Sequence, residues 1–336
     1  MTKNSSKLLF FTTMIIGTMM VMSSNNWLSM WMGLEINMIS FIPLISKSKN
    51  NLSSESMMLY FLVQSMGSVL FLMMIITNST IMIMPMMTND IVNIVMTSSL
   101  LLKVGAAPFH FWLPEIMEKM NWVSCMIIMT WQKLAPLTIL SMLLENNNFI
   151  MIIAITSTTV GAVGGLNQTS MRKIMAYSSI SHLGWMLSCM KFENEMWMNY
   201  LMIYAMIVIM TTMMFNYYSM FYLNQMTLNS NSMMEKIMYS SLMLSMGGLP
   251  PFLGFLPKWM VIQAMMSKSL YLVLTIMVLT TLITLFYYLR MISTIIMINS
   301  TMSKWSLKIK NQNKLIQIML MSINTMLPMV MALNLF

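Results

Sequence analysis

Four ionisable residues lie inside long apolar runs of the sequence, away from the ends where a charge could reach water. They are Glu35, Lys103, Lys133 and Lys258. A charged side chain at the centre of a bilayer costs about 2.5–3.5 kcal/mol on insertion scales. We therefore expect these side chains to face the interior of a helix bundle, a neighbouring subunit or internal water.

The balance of these charges points to proton transfer. One glutamate neutralises one lysine, so at least two of the three lysines have no acidic partner inside a span of this chain. A buried amine in that situation can give up its proton. An amine that alternates between charged and neutral forms carries protons, and ionisable residues within a membrane are functional candidates by default.

Helix-breaking residues accompany two of the lysines. Gly105 and Pro108 follow Lys103, and the stretch GGLPPFLGFLP at 247–257 precedes Lys258. Non-helical backbone at membrane depth is tolerated only where it lines a cavity or is buried in protein. Two broken spans, each with a lysine, predict a pair of inverted repeats with a site between them.

The histidines are weaker candidates than the lysines. His110 lies just beyond the first break, and imidazole titrates near neutral pH, so it is a candidate proton relay. His182, in SSISHLGW at 178–185, fits a packing or hydrogen-bonding role as well as a relay. Cys125 and Cys189 are far apart and have no CxxC partner, so the sequence predicts no metal or iron–sulfur site.

Composition indicates the elements that must position these groups. Only 8% of the 336 residues are charged and 58% are hydrophobic, whereas a soluble domain carries about 25% charged residues. The mean hydropathy is +0.73. These values predict an all-α integral membrane protein in which residues 1–336 form a single transmembrane domain, with room for ten to twelve helices at about 20 residues per span.

Apolar runs of spanning length predict about eleven transmembrane helices. Two of them, 91–113 and 237–267, are predicted to be discontinuous, and the short apolar segment 81–87 is predicted to be a loop at the membrane edge. The remaining predicted spans are 8–24, 27–45, 56–77, 121–144, 148–167, 174–190, 196–223, 270–297 and 314–334.

Basic residues in the connections predict the orientation, because Lys and Arg are enriched on the side where the chain is made. The side opposite the N-terminus carries only Lys191 and Lys268, so the net charge of +9 reflects topology and no nucleic-acid partner is expected. The side of the N-terminus carries Lys3, Lys7, Lys47, Lys49, Lys119, Arg172, Lys173, Lys236, Arg290, Lys304, Lys308, Lys310 and Lys314.

Five stretches carry a resemblance to a known family. The stretches are GLEINMISFIP (33–43), LLLKVGAAPFHFWLPE (100–115), TWQKLAPL (130–137), RKIMAYSSISHLGWM (172–186) and GGLPPFLGFLPKW (247–259). With these stretches the chain closely resembles the mitochondrially encoded, antiporter-like subunits in the membrane arm of NADH:ubiquinone oxidoreductase, respiratory complex I. Its 54 methionines and many asparagines are similar to the composition of arthropod members.

The resemblance implies a role for each intramembrane charge. It implies that Glu35 faces Lys103, that Lys133 is the central relay group, and that Lys258 links the central water chain to a far half-channel or the next subunit. It also implies an antiporter-like fold that lacks three N-terminal helices present in bacterial relatives. The activity implied is proton translocation coupled to electron transfer from NADH to ubiquinone.

The resemblance further implies partners and a location. No GxGxxG turn, P-loop or cysteine ligand set is present, so NADH, FMN, iron–sulfur clusters and ubiquinone are expected in partner subunits and no cofactor on this chain. Expected partners are the neighbouring antiporter-like chain 4, the small chain 4L, and phospholipids including cardiolipin. The expected location is the mitochondrial inner membrane, with the N-terminus in the matrix and the C-terminus in the intermembrane space.

Two other functions use the same residues. A free-standing antiporter of protons and monovalent cations would have the same fold and the same buried lysines. A structural spacer would use the charges only to lock helices together. Transport by the isolated chain distinguishes the first alternative, and substitution of Lys133 distinguishes the second.

Overall fold

The structure is a computed structural model, and it describes most of the chain. The predicted loop 81–87 and the predicted span 314–334 fall almost entirely outside the described part. The described residues are 2–46, 51–81, 88–143, 149–192, 196–225, 233–298, 321–322 and 324–325.

Nearly all of the described chain is helical, as the apolar composition predicts, and its only β-structure is an isolated bridge between Ser170 and Tyr222. The all-α prediction is confirmed. The thirteen helices of this part are α1 (Thr2–Ser23), α2 (Trp27–Ile45), α3 (Asn51–Ile81), α4 (Thr88–Val104), α5 (Trp112–Lys119), α6 (Trp122–Met129), α7 (Trp131–Leu143), α8 (Phe149–Gly164), α9 (Met171–Met190), α10 (Met196–Tyr217), α11 (Met233–Gly247), α12 (Phe255–Ser267) and α13 (Tyr271–Ile298).

Six helical segments in the described residues are long and apolar enough to cross a bilayer. One of them, Trp122–Leu143, comprises α6 and α7, which are separated at Thr130. The count of eleven spans stays a prediction. The other five segments are Ser5–Ser23, Trp27–Ile45, Asn51–Asn78, Met196–Tyr217 and Tyr271–Ile295.

The helices stop at both predicted breaks. Helix α4 ends at Val104 and α5 begins at Trp112, while α11 ends at Gly247 and α12 begins at Phe255. That each pair of helices forms one interrupted span, and that the repeats are inverted, stay predictions. The lysines lie beside the breaks: Lys103 is in the last turn of α4, and Lys258 is in the first turn of α12.

The chain divides into two compact units, Met1–Ile153 and Ala154–Phe336. We call them the N-terminal and the C-terminal unit, and each is described by itself. In the N-terminal unit, α3 packs on α2, α4 and α5, and α7 packs on α1, α2, α4 and α6. The central position of α7 explains why Lys133, in its first turn, is enclosed by protein.

In the C-terminal unit, α9 is buried along almost its whole length and packs on α10 and α12. Helix α11 packs on α10 and α13, and α12 also packs on α10 and α13. Lys258 on α12 therefore lies among helices of its own unit. The prediction that the two units form a single domain stays a prediction.

Candidate functional site

The end of α4 leaves backbone carbonyls without helical partners, and each of the three before Val104 accepts a hydrogen bond. The N–H groups of Gly105 and Ala106 both donate to the Leu101 carbonyl, at 2.9 and 3.1 Å. Gly105 has φ +79°, a left-handed conformation that closes a helix end and strains residues with a Cβ.

Side chains from other helices supply the remaining donors. The indole Nε1 of Trp112 donates to the Leu102 carbonyl at 3.1 Å, and Gln64 Nε2 on α3 donates to the Lys103 carbonyl at 3.0 Å. Unsatisfied backbone groups at membrane depth cost several kcal/mol. These two side chains therefore stabilise the break beside Lys103.

Lys133 lies on α7, directly after a residue that ties this helix to three others. Gln132 Nε2 donates to Asn37 Oδ1 on α2 at 3.1 Å and contacts Met14 Sδ on α1 at 3.3 Å. Gln132 Oε1 accepts from the Tyr60 hydroxyl on α3 at 3.4 Å. These contacts fix the first turn of α7 and with it the position of the buried Lys133, which is 2% exposed.

A cavity in the N-terminal unit brings Lys103 and Lys133 together. The volume of the cavity is about 20 Å³. A single water molecule needs about 10–15 Å³ on the same scale, so the cavity has room for one. Half of its twelve lining residues have polar side chains, so a water molecule there has hydrogen-bonding partners. The polar residues that line it are Asn37, Tyr60, Gln64, Lys103, Gln132 and Lys133.

Glu35 does not line this cavity. The neighbouring α2 residues Leu34, Asn37 and Met38 do, and Glu35 is half-buried on another side of the helix. Within the described residues no salt bridge joins Glu35 to Lys103. The implied Glu35–Lys103 interaction therefore stays a prediction.

His110 lies in the first break but does not line the cavity. Its ring is buried, its Nδ1 lies 3.2 Å from the Pro108 carbonyl, and its centroid lies 4.2 Å from that of Phe111. A carbonyl only accepts, so this contact requires the proton on Nδ1. The structure thus places His110 beside the break and leaves its relay role a prediction.

Lys258 lies at the start of α12, just after the second break, in the C-terminal unit. The N–H of Gly248 donates to the Ser245 carbonyl at 3.0 Å, and the N–H of Leu249 donates to the Leu244 carbonyl at 3.2 Å. This is the hydrogen-bonding pattern of a Schellman motif. The Lys258 ammonium then donates to the Gly247 carbonyl at 2.7 Å. The negative end of a helix dipole favours a cation at this place.

His182 belongs to a buried aromatic cluster in the C-terminal unit. Its Nδ1 lies 2.8 Å from the hydroxyl of Tyr200, and its ring centroid lies 4.8 Å from that of Tyr204. These contacts fit the hydrogen-bonding and packing role that the sequence allows for this histidine. A relay role stays a prediction.

Sequence reasoning missed the polar residues that surround the lysines. Gln64 and Asn37 are amides inside apolar spans, which is an available signal, and Gln132 stands next to Lys133 in the sequence. Trp112 carries no such signal, because its partner Leu102 lies ten residues away across the break. These residues position the two lysines of the N-terminal unit.

Trp112→Phe tests the capping of the first break. The substitution removes the donor to Leu102 and keeps an aromatic ring, so we expect a loss of about 1–3 kcal/mol of stability. The measurement is thermal unfolding of the protein in its native membrane. Trp259→Phe is the matched control, because Trp259 is 41% exposed. Equal unfolding temperatures for the two variants would contradict the capping role.

Comparison with known proteins defines the family of this chain. The family described as "NADH:quinone oxidoreductase/Mrp antiporter, TM" matches residues 24–284. The chain is 46% identical over 329 residues to NADH-ubiquinone oxidoreductase chain 2 of Anopheles gambiae, covering 95% of this chain and 94% of that one. Its identity to the chain 2 protein of Locusta migratoria is 43% over 318 residues, covering 94% and 92%.

A solved structure has the same fold. A chain of respiratory complex I from Thermus thermophilus superimposes with a TM-score of 0.82 at 18% sequence identity, covering 97% of this chain and 77% of that one. These matches confirm the antiporter-like fold and the resemblance to the complex I subunits that the five motifs indicate. The chain belongs to the NADH-ubiquinone oxidoreductase chain 2 family of antiporter-like membrane proteins.

Proposed function

We propose that this chain translocates protons as a membrane-arm subunit of NADH:ubiquinone oxidoreductase, coupled to electron transfer from NADH to ubiquinone. The observation that carries the proposal is the cavity of the N-terminal unit, which both Lys103 and Lys133 line and which has room for water. A water molecule that bridges two amines gives a proton a hydrogen-bonded route from one nitrogen to the other.

Glu35 controls this transfer through its charge. A carboxylate near a buried ammonium stabilises the charged amine, and its withdrawal favours loss of the proton. Glu35 and Lys103 form no salt bridge within the described residues, so a movement of α2 that brings the carboxylate closer to the amine strengthens the interaction, and a movement away weakens it. Closing and opening of this pair then moves a proton between Lys103 and Lys133.

Lys258 carries the proton onward in the C-terminal unit, toward a far half-channel or the next subunit. Its ammonium rests on the Gly247 carbonyl, a stable position for the charged form, and it delivers its proton when it leaves that carbonyl. His110 is a further relay at the first break, and His182 is a weaker one in its tyrosine cluster.

We propose that the redox chemistry belongs to other subunits, because the relatives of this chain are each named as one chain of NADH-ubiquinone oxidoreductase. We assign NADH, FMN, the iron–sulfur clusters and ubiquinone to partner subunits. The partners we propose are the other membrane-arm subunits, with chain 4 and chain 4L as neighbours, and phospholipids such as cardiolipin.

The names of the relatives favour this function over a free-standing cation/proton antiporter, because both insect relatives are named as oxidoreductase chains. The chain is a multi-pass protein of the mitochondrial inner membrane. We propose that residues 1–336 act as one antiporter-like domain. Exchange of Na⁺ or K⁺ for protons by the chain reconstituted alone is the result that would support the antiporter instead.

Lys133→Met tests the proton route. Methionine keeps an unbranched stem but has no titratable nitrogen, so we expect a severalfold fall in protons translocated per NADH oxidised by the assembled complex in proteoliposomes. Lys268→Met is the control, because Lys268 is exposed at the end of α12. A parent-like ratio in Lys133→Met would show that the buried charges only hold helices together.

Cysteine labelling tests the orientation, with the N-terminus in the matrix and the C-terminus in the intermembrane space. Lys173 lies in the first turn of α9, and Lys191 directly follows its last residue. Both native cysteines are buried, so they do not compete for the label. An impermeant maleimide is expected to label Lys173→Cys only from the matrix and Lys191→Cys only from the intermembrane space. The reverse pattern would invert the proposed topology.

A further inference from the structure

Two glycines leave the space that two of the lysine side chains occupy. A Cβ atom added at Gly67 on α3 would lie 2.9 Å from Cγ of Lys103. A Cβ atom added at Gly248 would lie 2.8 Å from Nζ and 2.8 Å from Cδ of Lys258. Both distances are too short for non-bonded atoms, so each lysine side chain could keep its present position only if the glycine has no side chain.

The space left by Gly248 determines the position of the Lys258 ammonium group. The side chain of Lys258 passes over Gly248, and its ammonium reaches the Gly247 carbonyl at 2.7 Å. A methyl group at 248 would lie within 2.9 Å of Cδ, Cε and Nζ of Lys258, closer than these atoms can approach. The flexible end of the lysine would have to move away from the carbonyl, while the backbone could stay.

The helix-capping role of this glycine does not account for that space. Gly248 has φ +78° and Gly105 has φ +79°, so both close a helix end in the same left-handed conformation. A Cβ atom at Gly105 would meet Leu113 and Trp112 at 3.0–3.3 Å and no lysine. The space for a lysine is therefore a separate property of Gly248, and Gly67 has it on a continuous helix without a positive φ.

We propose that Gly248 and Gly67 are positioning residues for proton transfer, which make room for Lys258 and Lys103 respectively. This inference rests on the proposed function. Gly248 lets the Lys258 ammonium rest on the last carbonyl of α11, where the helix dipole stabilises the charge. Gly67 lets the stem of Lys103 lie against α3 on its way to the cavity.

The test compares Gly248→Ala, Lys258→Met and the double variant in the assembled complex in proteoliposomes. Two quantities are measured: the rate of NADH oxidation and the protons translocated per NADH. Gly248→Ala is expected to lower the proton ratio severalfold while NADH oxidation per assembled complex stays at the parent rate. The double variant is expected to match Lys258→Met, because a residue that acts through Lys258 adds nothing once the amine is gone.

Two alanine variants serve as controls. In Gly247→Ala the carbonyl remains, and the new Cβ meets only Tyr288 and Leu285 at 3.6 and 3.9 Å, so we expect a smaller change in the proton ratio than in Gly248→Ala. Gly105→Ala introduces the same backbone strain as Gly248→Ala, because both glycines have the same positive φ. The yield of assembled complex with Gly105→Ala therefore measures how much this strain alone impairs assembly. If Gly248→Ala does not assemble, Gly67→Ala, which has no positive φ, is measured in the same way.

The outcomes separate the two proposals. A parent-like proton ratio in Gly248→Ala together with a low ratio in Lys258→Met overturns the positioning role and leaves the proposed function standing. A parent-like ratio in Lys258→Met removes Lys258 from the proton route and the positioning role with it. Additive losses in the double variant show a structural role for Gly248 and also overturn the inference.

Discussion

The constraint on which this structure depends is the need to satisfy backbone carbonyls where a helix stops among buried residues. A buried carbonyl group that has no hydrogen-bond donor costs free energy, so the protein itself supplies the donors. At the first break, backbone N–H groups donate to the Leu101 carbonyl, the Trp112 indole donates to that of Leu102, and the Gln64 amide donates to that of Lys103. At the second break, backbone N–H groups donate to the carbonyls of Leu244 and Ser245, and the Lys258 ammonium donates to that of Gly247.

The two breaks therefore give their lysines different surroundings. At the first break an indole and an amide do the capping, so the amine of Lys103 is available to the cavity that it shares with Lys133. At the second break Lys258 is itself the capping donor, and its charge is held at the end of a helix dipole. One amine thus faces a space for water, and the other is held at a carbonyl acceptor.

The sequence was sufficient to predict the elements that local patterns determine. Central lysines in apolar runs indicated burial, and Gly–Pro clusters indicated where α4 and α11 end. It did not predict the donors, since Gln64 and the Lys103 carbonyl are 39 residues apart and only folding brings them together. The separation of α6 from α7 at Thr130 was also missed, because no Gly or Pro stands at or next to Thr130 in the sequence. The position of Glu35 could not be derived either, because a period of 3.6 residues does not specify which neighbours cover a helix face.

The contacts of Gln132 couple two amide groups in their orientation. Gln132 donates a hydrogen bond from Nε2 to Asn37 Oδ1 and accepts one at Oε1 from the Tyr60 hydroxyl. If the Gln132 amide turned by half a rotation, its oxygen would face the oxygen of Asn37 at a repulsive distance. The two amides can therefore reverse only in concert. A reversal of both amides together would exchange a donor for an acceptor beside Lys133, on the wall of the cavity that Asn37 and Gln132 line.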